Sequence, residues 1–269
     1  MEGSSMPNTM LNVQKPFSLL HYAKVNNLDP RRVLLMAPTL FSNFYFRLHE
    51  FDGTLVAADW STDVTGGGAP TAFAYNAQRN GALRGATGTS DNGVTAIYQP
   101  NVAMDPADNP SIFFRWRAPA DVAGFGFEIG WSDAKTDEKL VCVSALSAAA
   151  APTITNGITD FGLLVMNTDL TLTTTAIIGD GTTGAVNGAL VGTWTPTASG
   201  IIDMIIGVTP NGTRAQIWDS GAFVGNFSAS NGPDSATLVR FSAMFKTLDT
   251  TSKTIDILKV AILAEENAT

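Results

Sequence analysis

The chain has 269 residues, of which 45% are hydrophobic and only 15% are charged, and its formal net charge at pH 7 is −8. An acidic chain has no general attraction to nucleic acid or to anionic membranes, so neither partner is expected. The single cysteine, Cys142, excludes an internal disulfide, and its apolar neighbours favour a small buried side chain over a nucleophile. No apolar run reaches the ~18 residues of a transmembrane helix, and we expect no signal peptide.

Residues 1–48 differ from the rest of the chain and are predicted to form an N-terminal arm. The arm begins with small polar residues, is interrupted by prolines, and ends in a dense aromatic cluster. Short helical pieces are expected at 17–25 and from Asp29 to Met36, with Asp29 as the N-cap. An arm this apolar should lie on its own domain or on a neighbouring subunit. Its predicted assembly contacts are Phe17, Leu20, Tyr22, Phe41, Phe44, Tyr45 and Phe46.

Residues 49–269 carry a recurring strand pattern that predicts one β-sandwich domain. Glycine, asparagine and aspartate clusters separate the apolar runs. The run Ala148–Pro152 is the one helix-like stretch, and Pro152 ends it. The predicted strands are Thr71–Gln78, Ala82–Ala86, Val94–Gln99, Ile112–Ala118, Gly124–Trp131, Leu140–Leu146, Phe161–Met166, Thr171–Ile178, Ala189–Trp194, Ile201–Thr209, Thr213–Trp218, Phe223–Phe227, Thr237–Thr247 and Thr254–Leu263.

The stretch 201–227 has the clearest local pattern. An apolar β-branched run leads to Asn211-Gly212, which favours a tight turn with positive φ. An alternating strand, a second turn at Asp219–Gly221 and a third strand follow. This order predicts a meander of three antiparallel strands.

The residues of this meander also resemble a known fold. The segment Ile217–Gly225 resembles the signature of concanavalin-A-like (laminin-G-like) jelly-roll domains, and Ile255–Ile262 is similar to their closing strand. Glu50–Gly53, followed by Asp59-Trp60, resembles the start of the phage versions. The resemblance implies an all-β jelly-roll sandwich. It also implies a phage head-decoration or cement protein that forms a symmetric oligomer, most often a trimer, on the capsid shell.

Metal and cofactor chemistry have little support in the sequence. His21, His49 and Cys142 form no zinc-binding pattern. The acidic turns 105–109 and 133–138 lack the regular ligand spacing of a calcium loop, so solvated carboxylates are the expected state. We therefore expect no metal and no cofactor.

Catalytic residues are not predicted either. The glycoside hydrolases of the resembled fold carry Glu-x-Asp-x-x-Glu on one strand, and this run is missing here. Glu128 and Asp256 each stand alone in an apolar strand and are expected to face water. Of the five tryptophans, Trp131 precedes a polar turn and is the candidate platform for a bound glycan.

These observations favour a non-enzymatic structural protein of a virus particle. The expected partners are further copies of the chain, as a homo-oligomer and most often a trimer, and the major capsid protein. The expected location is the capsid surface of a virion assembled in the host cytoplasm. A glycan-binding module of a phage tail or adhesin is the alternative, and a glycoside hydrolase is a third, disfavoured reading.

Overall fold

Two antiparallel β-sheets packed face to face make up most of the described chain. A computed structural model describes residues 31, 44–51, 60–76, 81–133, 143–147, 150–154, 158–168, 174–180, 187–192 and 194–265. The strands of these residues are β1 Phe44–Glu50, β2 Ser61–Thr65, β3 Thr71–Asn76, β4 Ala82–Ala86, β5 Val94–Tyr98, β6 Ser111–Arg117, β7 Phe125–Ser132, β8 Val143–Ser147, β9 Ala150–Ile154, β10 Phe161–Asn167, β11 Thr174–Asp180, β12 Asn187–Gly192, β13 Ile201–Thr209, β14 Gly212–Asp219, β15 Ala222–Ala229, β16 Arg240–Thr247 and β17 Thr254–Glu265. Pro106–Asp108 add one turn of 3-10 helix.

The strand order brings sequence-distant segments together. Sheet A has the order β15-β14-β13-β6-β17-β4-β3, and β1 also pairs with β17. Sheet B has the order β12-β11-β10-β7-β16-β5-β2, and β8 with β9 forms a separate hairpin. The long strand β17 has β6 on one side, and its other side pairs with β4 and then with β1.

Aromatic side chains fill the space between the two sheets. Along β6 and β7, alternate residues point inward, as the period of two in a strand requires. The ring centroids of Trp116 and Phe127 lie 5.7 Å apart, and those of Trp116 and Phe245 lie 5.1 Å apart. Complete burial of each such side chain contributes roughly 1.5–3 kcal/mol to folding. This core holds the two sheets, and so their outer faces, in fixed positions.

The predicted all-β sandwich is confirmed. The bounds of β4 and β13 agree with the prediction, and each other predicted strand overlaps an observed one. The helix-like assignment of Ala148–Pro152 is wrong, because Ala150–Ile154 form strand β9 and pair with β8. Strand β1 runs from Phe44 and pairs with β17, so the sandwich begins inside the segment predicted as arm.

The meander of β13, β14 and β15 is also confirmed, with one correction at its first turn. Thr209 pairs with Gly212, so the turn is centred on Pro210 and Asn211. Neither Asn211 nor Gly212 has the expected positive φ, because Pro210 sets φ near −65° and favours an ordinary turn. In the second turn both Ser220 and Gly221 have positive φ, as a two-residue hairpin requires.

Candidate functional site

The outer face of sheet A carries the most distinctive group of side chains in the described structure. On β6, Ile112, Phe114 and Trp116 point into the core. The alternate residues Phe113, Arg115 and Arg117 therefore point away from it. These residues and their cross-strand neighbours define the outer face.

The middle of this face is apolar and covered. Four of its side chains are no more than 2% exposed, although they do not belong to the core between the sheets: Phe113, Ile205, Ala261 and Leu263. Phe113 lies opposite both Ile205 and Ala261 in the register of the sheet. A sheet face that looked onto water would expose such side chains, so the middle of this face is shielded from water.

A buried carboxylate lies beside the apolar area. Asp203 is 3% exposed and accepts two hydrogen bonds from Arg115, at 2.6 Å from Nε and 2.8 Å from Nη2. It accepts a third from Nη1 of Arg31 at 2.7 Å. The Arg31 guanidinium also lies over the ring of Trp218, 5.1 Å from its centroid. Charge-assisted hydrogen bonds of this kind are among the stronger ones in proteins, and a cation over indole adds to them.

A second buried carboxylate repeats the arrangement two residues further along β6. Asp256 accepts hydrogen bonds from Arg84 at 2.7 Å from Nε and 3.0 Å from Nη2. Nε of Arg117 lies 3.9 Å from Oδ2 of Asp256, the oxygen that also accepts from Nη2 of Arg84. The hydrogen bond to Asp256 raises the pKa of Arg84 above its ordinary value. The two carboxylates thus face four arginines: Arg31 and Arg115 at Asp203, and Arg84 and Arg117 at Asp256.

One end of the outer face is aromatic and exposed. Trp218 packs against Phe223 with ring centroids 5.3 Å apart. Phe223 is 53% exposed and Ile201 is 37% exposed. Ser220 donates a backbone hydrogen bond to the carbonyl of Ile201, which holds the two strands together at this end. Exposed apolar groups beside a guanidinium are suited to contact with another surface.

Most of the predicted arm contacts lie outside the described residues. Phe17, Leu20, Tyr22 and Phe41 lie outside the described residues. The backbones of Phe44, Tyr45 and Phe46 lie in β1, opposite Glu265, Ala264 and Leu263. Their assembly role stays a prediction.

Trp131 does not form a glycan platform. It is an inward residue of β7 with no exposed surface, and its Nε1–H donates to the carbonyl of Ile206 at 3.1 Å. The polar turn that follows Trp131 favours an exposed ring, but the alternation of side chains along β7 places this ring in the core. A buried indole with a satisfied N–H is a packing residue.

The expectation that Glu128 and Asp256 face water is also wrong. Both are buried, and Asp256 is held by Arg84. Glu128 lies on the outer face of sheet B, opposite Val165 and Met244 in the register. Each therefore belongs to the packing of a sheet face.

Of the two acidic turns, 105–109 lies within the described residues, whereas 133–138 is described at Asp133 alone. Asp105 caps the short 3-10 helix by accepting from the backbone N–H of Ala107 at 2.8 Å. Asp133 accepts from the Thr159 hydroxyl at 3.0 Å. Among the described residues no group of three or more His, Cys, Asp or Glu side chains is placed to hold a metal ion. Nor does the described part contain a helix of the length and apolarity needed to cross a membrane.

Comparisons with known proteins identify the fold. No protein-family model matches the sequence, and no curated protein matches it. A protein of unknown function from Shewanella oneidensis MR-1 is similar in structure, with a TM-score of 0.54, 13% identity, and coverage of 100% of this chain and 98% of that one. Peanut lectin gives a TM-score of 0.52 at 11% identity over 85% of this chain and 100% of the lectin.

A seed lectin of Lotus tetragonolobus gives a TM-score of 0.50 at 10% identity, over 82% of this chain and 100% of the lectin. At sequence identities this low, the structural similarity shows a shared fold alone. The strand pattern, the two packed sheets and these similarities agree. The chain therefore has the concanavalin-A-like jelly-roll β-sandwich fold that legume lectins also have.

Proposed function

We propose that this chain is a non-enzymatic structural protein of a virus particle, a capsid decoration or cement protein of a phage head. In this proposal it associates with copies of itself and with the major capsid protein. It docks through its N-terminal arm and the surface of its sandwich. Its place is the capsid surface of a virion assembled in the host cytoplasm.

The contact of Arg31 with the outer face of sheet A is the observation that carries the proposal. Arg31 belongs to the arm, yet its guanidinium ion-pairs with buried Asp203 and lies over Trp218. The same face has apolar side chains that are buried although they point away from the core. The arm therefore includes a specific attachment to the sandwich, which suits a segment that positions the domain on a particle.

The composition supports the same proposal. Only 15% of the residues are charged, which is low for a surface that meets only water. The four arginines and the exposed Phe223 and Ile201 offer a charged and apolar surface of the kind that protein partners contact. A shell protein needs broad contacts of this type and no cleft for chemistry.

The test compares the full chain with a truncation that lacks residues 1–40. Co-sedimentation with capsids and light scattering measure binding to the particle and the oligomeric state. We expect the truncated sandwich to fold, to lose particle binding and to lose its oligomer. A truncation that keeps both properties would leave the arm without an assembly role.

A point variant tests the same contact in case the truncated chain fails to fold. Arg31→Ala removes the ion pair with Asp203 and the contact with Trp218 while the rest of the arm remains. We expect weaker particle binding, with partial recovery in Arg31→Lys, because lysine keeps the charge and loses the planar guanidinium. Equal particle binding by all three proteins would count against a role for this contact.

A glycan-binding module of a phage tail or adhesin is the second candidate. It is favoured by the exposed ring of Phe223 beside Trp218, because ligand sites commonly contain aromatic side chains. The shared fold of the peanut and Lotus lectins is an analogy of fold alone. Glycan-array binding by the wild-type chain that Phe223→Ala abolishes and Tyr75→Ala leaves intact would favour this candidate over the structural one.

A further inference from the structure

Sheet A ends in an unusual edge strand. Strand β15, Ala222–Ala229, has eight residues, and none of them is charged or proline. Phe223 is 53% exposed, and Asn226 and Ser228 are also exposed. The strand is therefore long, uncharged and open to contact.

One edge of β15 pairs with β14, and no described residue forms a ladder of backbone hydrogen bonds with its other edge. Its register with β14 runs from Thr213↔Ala229 to Asp219↔Ala222. Among the described residues, no backbone hydrogen bond leads from β15 to any other strand, although β11 and β12 of sheet B lie close by. Free N–H and C=O groups along a strand are a template for pairing with another strand.

The other edge strands of the described sheets are shorter than β15, although β3 and β12, with six residues each, are also uncharged. Strand β1 carries Arg47, His49 and Glu50, and β2 is short and contains Asp63. Charged residues and short length discourage strand addition. Strand β15 has eight residues and none of them is charged. Its pairing with β14 has one register shift, between Ile217 and Trp218 of β14.

We propose that β15 pairs antiparallel with β15 of a second copy of this chain, which joins two A sheets into one continuous sheet. A second copy suits the edge because two identical uncharged strands meet without like-charge repulsion. Pairing of the same strand on both sides requires a two-fold axis. The exposed Phe223 and Ile201 would then adjoin the contact and lose part of their exposure.

This inference rests on the proposed self-association and makes it more specific. It gives a dimer, or a larger assembly built from dimers, instead of the trimer that the sequence resemblance implies. The pairing also leaves the outer face of sheet A, with its bound Arg31, on the surface of the dimer. Self-association through β15 and attachment of the arm through Arg31 therefore adjoin each other at Trp218, whose ring contacts both Arg31 and Phe223.

The test measures the mass of the full-length chain in solution by sedimentation equilibrium over a range of concentrations. The wild type is expected at twice the chain mass of 28.3 kDa. Ser228→Glu places a carboxylate on the exposed side of β15, opposite Arg214 of its own sheet. A charged side chain on an edge strand discourages strand addition, so the dimer dissociation constant should rise at least about tenfold, equivalent to ~1.4 kcal/mol.

Two further variants make the result specific. Phe223→Ser removes exposed apolar surface at the same edge and should also weaken the dimer. Thr71→Glu adds the same charge to an exposed residue of β3, the opposite end of sheet A, and should leave the mass unchanged. Circular dichroism of each variant checks that the sandwich is folded.

The outcomes separate this inference from the proposed function. A wild-type trimer, or a dimer that Ser228→Glu and Phe223→Ser leave intact, would overturn the β15 pairing while self-association stands. A monomer that still binds capsids would overturn the pairing and leave the docking proposal in place. A chain that dimerises through β15 but never binds capsids would support the pairing and count against the proposed function.

Discussion

Asp203 is the residue on which the outer face of sheet A depends most. Its carboxylate is buried and accepts hydrogen bonds from Arg115 and Arg31, two residues far apart in the sequence. Both guanidiniums keep some contact with water. Water therefore replaces part of the hydrogen bonding that the two guanidiniums lose when the carboxylate is removed.

We predict that Asp203→Ala lowers the free energy of unfolding by about 1.5–3 kcal/mol, the usual range for a hydrogen bond to a charged group. Urea unfolding monitored by circular dichroism measures the change. Asp91→Ala, at an exposed turn position, serves as the control and should change stability by less than about 0.5 kcal/mol. A loss no greater than that of the control would show that the Asp203 ion pairs contribute little.

At the scale of elements, a buried lysine forms ion pairs with two loops at one end of the sandwich. Nζ of Lys253, which has no exposed side-chain surface, lies 2.8 Å from Oδ2 of Asp121 and 3.1 Å from Oδ2 of Asp249. The hydrogen bond from Lys253 lowers the pKa of Asp121. Burial acts to raise the pKa of Asp249, but hydrogen bonds from Thr251, Thr247 and Lys253 outweigh it, and the pKa is lowered.

These lowered pKa values predict acid sensitivity. Both carboxylates have a pKa in the folded chain below the ~3.9 of an unfolded aspartate, so they stabilise the fold fully at pH values above that. The contribution is lost as the pH falls from about 4 through the folded pKa values. Thermal midpoints measured between pH 7 and pH 3 should fall over this acid range.

The matched variant is Lys253→Met, which keeps the length of the side chain and removes the charge. Without the ammonium group the two pKa values lie closer to those of the unfolded chain. The acid fall in thermal midpoint should then be shallower than in the wild type. An equally steep fall would assign the acid sensitivity to other groups.

The elements that the sequence predicts best are those with a strong local pattern. Strand β13 is a β-branched apolar run with a turn after it, and its bounds agree with the prediction. Strand β2, Ser61–Thr65, was missed because its residues are polar and weakly patterned. Strand β9 was missed because four consecutive alanines favour a helix locally, and pairing with β8 overrides that preference.

The candidate site was harder to predict than the fold. Arg115 and Asp203 are 88 positions apart, and their contact depends on the pairing of β6 with β13. The sequence did contain a signal, because single charged residues occupy alternate positions in otherwise apolar strands. Such residues need partners across the sheet, whereas we expected Asp256 to face water.

At the scale of the whole molecule, our two proposals give the sandwich two contact regions. One is the outer face of sheet A, where Arg31 of the arm is bound. The other is the edge strand β15, which includes the exposed Phe223. A protein that covers a shell needs one region for its own copies and another for the surface below.

The position of the chain in a native assembly tests the central claim most directly. Electron cryomicroscopy of purified particles that contain this chain would measure it. Our account predicts density for the two-sheet sandwich at regularly repeated positions on the outer capsid surface, in contact with the major capsid protein. A chain located at a tail tip or fibre, or absent from purified particles, would contradict the account.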